Sequence, residues 1–157
     1  MHPTSLRLAR AALAAVALSA AAALVHAQST AAAATATATA TATAREKAIF
    51  AVSDADPQKW SLTLGNIGNA LDGIGKDNAD IELVVYGPGI VMLKKDSAVA
   101  GQIAAAVASG VRIVACRNSM RGFKIEPADL APGVVVVPSG VVELIRREHD
   151  GYAYVRS

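Results

Sequence analysis

The sequence predicts an α/β domain of three layers, with a mainly parallel sheet of about five strands between helices. Two observations carry this. Short apolar runs alternate with helical patterns from Arg45 to Ser157, which implies βαβ units. The runs also show little alternation of polar and apolar residues, as in strands covered on both faces.

Lys47 to Val52 is the first strand, and Asp54-Ala55-Asp56-Pro57 turns the chain, with Asp56 placed to cap a helix and Pro57 at its first position. In that helix Trp60, Leu64, Ile67, Leu71 and Ile74 recur at steps of four and three, one apolar stripe facing a sheet. Ile81 to Tyr86 is the second strand, broken by Gly87-Pro88-Gly89. Asp96 or Ser97 caps a second helix running through Ala108 to Gly110, and Val111 to Ala115 is the third strand. A short helical turn follows Cys116. Val134 to Val137 is the fourth strand, Ser139 opens a helix over Val141 to Glu148, and Tyr152 to Val155 is a fifth strand at an edge.

In a parallel sheet, ligands gather beyond the carboxyl ends of the strands. Here those ends hold Ser53 and Asp54, Tyr86 and Gly87, Cys116, and Pro138 and Ser139. Cys116 is the only cysteine in the chain, so it forms no intrachain disulfide. A thiol just ahead of a helix start, near Arg117 and Arg121, stands in surroundings that favour the thiolate and is the candidate nucleophile. Its alternative is a small hydrophobe packed at a strand end, a frequent fate of free cysteines. Asn118, Ser119, Arg121, Tyr86, Gly87 and Ser139 are the candidate binding residues around it. Arg121 is alternatively a surface residue or a partner of Glu126.

Other chemistries are poorly served. Gly87-Pro88-Gly89 contains proline, follows the second strand and lacks the third glycine of a dinucleotide fingerprint, so it reads as a turn bringing backbone toward Cys116. His149 and Cys116 have no metal-ligand spacing, and His149 reads as a partner of a helix C-terminus. No cofactor and no metal are expected.

The N-terminal part reads differently. Arg7 and Arg10 precede an apolar run from Ala11 to Val25, and Val25-His26-Ala27 offers a cleavage site, so residues 1–27 read as a secretory signal peptide rather than a permanent membrane anchor. Removing it takes two of the 15 basic residues and none of the 13 acidic ones, which leaves a formally neutral chain and no support for a nucleic-acid partner. Residues 28–44, an Ala/Thr repeat without large side chains, read as a disordered linker. The expected location is the periplasm.

The order of elements from Lys47 to Ser157 resembles a known family. Gly110-Val111-Arg112-Ile113-Val114-Ala115-Cys116-Arg117-Asn118-Ser119-Met120-Arg121-Gly122, then Val136-Val137-Pro138-Ser139-Gly140-Val141-Val142-Glu143-Leu144-Ile145 and the closing Gly151-Tyr152-Ala153-Tyr154, are similar to the DsrE/DsrF-like sulfur-relay family. The strand-end cysteine with an Arg-Gly a few residues on resembles the segment that holds the persulfide-carrying cysteine in DsrE and TusD proteins, and Cys116 is the matching position. The resemblance implies a homotrimer or homohexamer, sulfur donor and acceptor proteins as partners, and a sulfurtransferase or sulfur carrier. A non-catalytic oligomeric binding protein of the same fold is the second expectation.

Overall fold

The computed structural model describes residues 45–156, and the expected signal peptide and linker lie outside them. Strands β1 (Glu46–Val52), β2 (Ala79–Val85), β3 (Arg112–Cys116), β4 (Val135–Val137) and β5 (Ala153–Val155) form one sheet in the order β4-β3-β2-β1-β5, with every pairing parallel. Helices α1 (Pro57–Ile74) and α2 (Ala100–Ala108) cross on one face, α3 (Arg117–Gly122) follows β3, and α4 (Gly140–His149) connects β4 to β5. The chain steps from β1 to β4 in one direction across the sheet and then returns to the opposite edge. With right-handed crossovers, that reversal sends α4 to the other face.

Each helix forms for a local reason. The Asp56 side chain accepts from the Gln58 N–H at 2.9 Å and Pro57 occupies the first turn of α1. Its stripe lies as the spacing predicts, with Trp60, Leu64, Ile67 and Leu71 buried. Fully burying side chains of this size contributes roughly 1.5–3 kcal/mol each. They meet Phe50, Val52, Leu83, Val85, Ile103 and Ile113 in the larger core. A smaller core on the α4 face joins Ile49, Val84, Val114, Val137 and Tyr152, with Tyr86 and Leu144 packed against it. β5 is an edge strand as expected; its neighbour Tyr152 is buried while Tyr154 is exposed.

Several boundaries differ from the sequence reading. β3 extends through Cys116, so the cysteine is the last strand residue. Gly87-Pro88-Gly89 opens a 3-10 helix, Gly87–Leu93, that packs under the sheet end. Gly89 is needed there because a Cβ would lie 3.0 Å from the Val52 carbonyl oxygen and from its side chain. The second helix begins at Ala100 instead of Asp96 or Ser97 because the preceding backbone is already engaged: Ala131 N–H donates to Leu93 O at 2.8 Å and Lys95 N–H to Asp129 O at 2.9 Å.

Beneath α4 lies a charged cluster. Glu82 on β2, 1% exposed, takes Arg112 of β3 at 2.6 Å and Arg147 of α4 at 2.8 Å through Oε2, while its Oε1 is buried without a hydrogen-bond partner. Glu143, one turn from the start of α4, meets Arg112 at 2.9 Å and Arg147 at 3.3 Å. Burial pushes the Glu82 carboxyl above its ordinary range although both arginines pull it down. For Glu143, burial also raises, but Arg112 and Arg147 outweigh it and hold the carboxyl low. The Arg147 guanidinium lies 5.2 Å from the Tyr152 ring centroid and the Lys47 ammonium 5.5 Å from it. Burial, then the Asp80 carboxylate, pushes the Tyr152 phenol up to about 12, so it stays protonated.

Removing one arginine leaves a buried carboxylate half compensated. Arg112→Met is expected to cost about 2–4 kcal/mol in denaturant unfolding, and Glu82→Met in the same chain to restore most of it, since a buried pair replaced by apolar residues is often neutral. Additive losses in the double variant would show that the two groups do not depend on each other.

Candidate functional site

The carboxyl ends of β2 and β3 and the start of α4 converge on Cys116. Residues alternate along β3, so Cys116 shares the α4 face with Val114 and Arg112, and it pairs in register with Val137. The thiol is buried, 5% exposed. What covers it is the start of α4. A Cβ on Gly140 would stand 3.2 Å from Cys116 Cβ, 3.1 Å from Tyr86 Cβ and 3.2 Å from Val84 Cγ1. A side chain here would require these neighbours to give by a few tenths of an ångström, so glycine suits so close an approach.

Burial and hydrogen bonding act on the thiol in opposite directions. Burial pushes it up, but the Ser119 hydroxyl and the backbone N–H groups of Gly140, Ser119 and Asn118 together outweigh that and hold it below the ordinary range. The Ser119 hydroxyl is oriented from behind: its Oγ accepts the Gly87 N–H at 2.7 Å. With a lone pair engaged there, its own hydrogen is free to donate to sulfur. The donors thus come from the turn that follows Cys116 and from the remote start of α4, with Gly87 orienting the Ser119 hydroxyl, because parallel strands set their carboxyl ends side by side.

Among the sequence-predicted residues, the structure brings Cys116, Ser119, Gly87 and the Asn118 backbone together, with the Tyr86 Cβ beside Gly140. Arg121 lies apart from them. Arg121 donates to Asn118 Oδ1 and faces a groove on the opposite side of the sheet; it does not pair with Glu126, and neither Arg117 nor Arg121 is among the groups that lower the thiol. Ser139 precedes α4 without a capping bond from its side chain. Gly140 was missed by the sequence reading. Its signal was the Ser139-Gly140 junction between strand and helix, where a glycine has no capping advantage over serine and so points to close approach. Among the described residues, no group of three His, Cys, Asp or Glu is arranged to hold a metal ion.

A buried, hydrogen-bonded, single thiol at the carboxyl edge of a parallel sheet is the setting in which the comparisons fall. The DsrE/DsrF-like family profile matches residues 4–156, and the chain belongs to that family. Among solved structures, a protein of unknown function, MTH1491 from Methanobacterium thermoautotrophicum, is 32% identical with a TM-score of 0.68, covering 71% of this chain and 99% of its own. The YchN protein from E. coli (18% identity, TM-score 0.60, 71% and 99% covered) and BT1422 from Bacteroides thetaiotaomicron (17%, 0.58, 71% and 95%) share the fold. No curated protein matches the chain.

The donors make separable predictions. Ser119→Ala is expected to raise the pH midpoint of Cys116 alkylation with little change in fold. Gly140→Ala forces α4 off the sheet end, raising the midpoint and costing about 1–3 kcal/mol through overpacking. The sign for stability follows: a thiol depressed in the folded state adds stability above the unfolded value of about 8.5, and that part is lost as pH falls through the folded value. Midpoints unchanged in both variants would remove these groups from the account.

Proposed function

We propose that this protein is a sulfur carrier in which Cys116 bears a sulfane sulfur as a persulfide. The observation that carries the reading is a thiol held below its ordinary range in spite of burial by donors from Ser119 and Gly140. A merely packed cysteine has no use for such a set. Membership in the DsrE/DsrF-like family supports the same class of chemistry. Loading is attack of the Cys116 thiolate on the outer sulfur of a donor persulfide, forming the new S–S bond as the donor's S–S bond breaks and its thiolate leaves. Unloading is attack of an acceptor thiolate on that outer sulfur, which returns the Cys116 thiolate. No net oxidation occurs in either step. The same donors serve both, since each leaves negative charge on sulfur, and a moderate depression preserves nucleophilicity.

The burial of Cys116 favours a second reading, a non-catalytic oligomeric binding protein with the cysteine as core. Loading through a shell this close needs the Ser139–Gly140 junction to part, so exchange in the folded state separates the two. Incubation of folded protein with polysulfide is expected to add whole sulfur atoms in the mass spectrum, absent in Cys116→Ser. Reaction of Cys116 only after denaturation would leave the second reading.

Export to the periplasm and assembly into a homotrimer or homohexamer belong to the same proposal. The first rests on Arg7, Arg10 and the apolar run after them. The second is supported by Val141, Val142 and Ile145, exposed together on α4. Light scattering at micromolar concentration is expected to give a multimer that Ile145→Glu dissociates; a monomeric parent would contradict it.

A further inference from the structure

On the far side of α3 from the thiol is a groove of about 440 Å³ that the sulfur chemistry leaves unused. Arg117, Arg121 and Lys124 line it with a single carboxylate, Glu126, and its floor includes Ile125 and Val136. Among the described residues, none of the three cations forms an ion pair; Arg121 is tethered only to the amide oxygen of Asn118. Lys124 is the one non-glycine residue described with positive φ, 54°, a conformation that closes α3 and sets this side chain on the rim. Val136 belongs to the edge strand β4, whose only described partner is β3.

Position decides what fits. Val136 pairs with Ala115 and Val137 with Cys116, so the groove opens on one face of the sheet and the sulfur lies on the other. A small sulfur anion held in the groove is separated from the thiol by the β3 backbone. A protein segment anchored there can pass round the end of β3 and α3 to reach it. The charge is net positive, the floor is apolar, and the bordering strand edge is free to accept an extended chain.

We propose that this groove docks an acidic, extended segment of the protein that exchanges sulfur with Cys116. The proposal rests on the carrier reading and names the chemistry of its partner. Binding holds the partner by charge and apolar contact on one side of β3 while its reactive sulfur works on the other. This gives the protein selectivity among thiol proteins that the sulfur chemistry itself lacks.

The test uses the full chain and a fluorescein-labelled eight-residue peptide alternating glutamate and leucine, with the glutamine analogue as control, read by fluorescence anisotropy. The acidic peptide is expected to bind roughly tenfold or more tightly than the analogue, to weaken as salt rises, and to weaken roughly tenfold in the double variant Arg121→Gln, Lys124→Gln with unchanged melting temperature. Equal binding of the analogue, or parent-like binding by the double variant, would overturn the proposal. So would displacement by thiosulfate well beyond that by chloride at equal ionic strength, which marks a small-anion site. Because binding is measured without a sulfur donor and repeated in Cys116→Ser, its failure is distinct from a failure of persulfide loading.

Discussion

The pairing of Glu82 with Arg112 and Arg147 is the interaction on which the site depends. A carboxylate almost wholly removed from water must be compensated, and here the compensation comes from a neighbouring strand and from α4. This seats α4 at its C-terminal half. Gly140 lies seven residues earlier, about 10 Å along the helix, and is thereby laid against the end of β3. Val84 and Val114 fill the interval, and the missing side chain of Gly140 lets backbone meet sulfur. A change under one end of α4 is therefore felt at the thiol beneath the other.

The thiol itself is a balance of two effects. Water removed from around sulfur favours the neutral form, and four donors aimed at it favour the thiolate; the donors win. Burial then limits who reaches the sulfur. In the proposed carrier, a cover of this kind would favour release to a partner held long enough to part it over loss to any small thiol.

Much of the fold was legible in the residues. The stripe Trp60, Leu64, Ile67, Leu71 dictates α1, the apolar runs dictate the inner strands, and the order of helices and strands dictates a parallel sheet with Cys116 on its carboxyl edge. Local chemistry was harder. Arg117 and Arg121 are next to Cys116 in sequence, yet β3 and α3 direct Arg121 to the opposite face, and the effective donors come from Ser119, positioned by Gly87 N–H, and from Gly140. Proximity along the chain does not decide the matter: Asn118 and Ser119 reach the sulfur, while Arg121, two residues further on, lines the opposite face. The start of α2 was misplaced since Asp96 and Ser97 look like caps while the pairing of residues 93–95 with 129–131 is invisible locally. Glu82 gave only the hint of an acid in an apolar strand.

The central claim is that Cys116 ionises below an ordinary thiol inside the folded protein. Because the chain has one cysteine, a titration of cysteine Cβ by nuclear magnetic resonance reads that group alone. The account predicts a single midpoint below the roughly 8.5 of a free thiol, moving upward in Ser119→Ala. A midpoint at or above that value in the folded parent would contradict it, for burial would then have outweighed the hydroxyl and backbone donors.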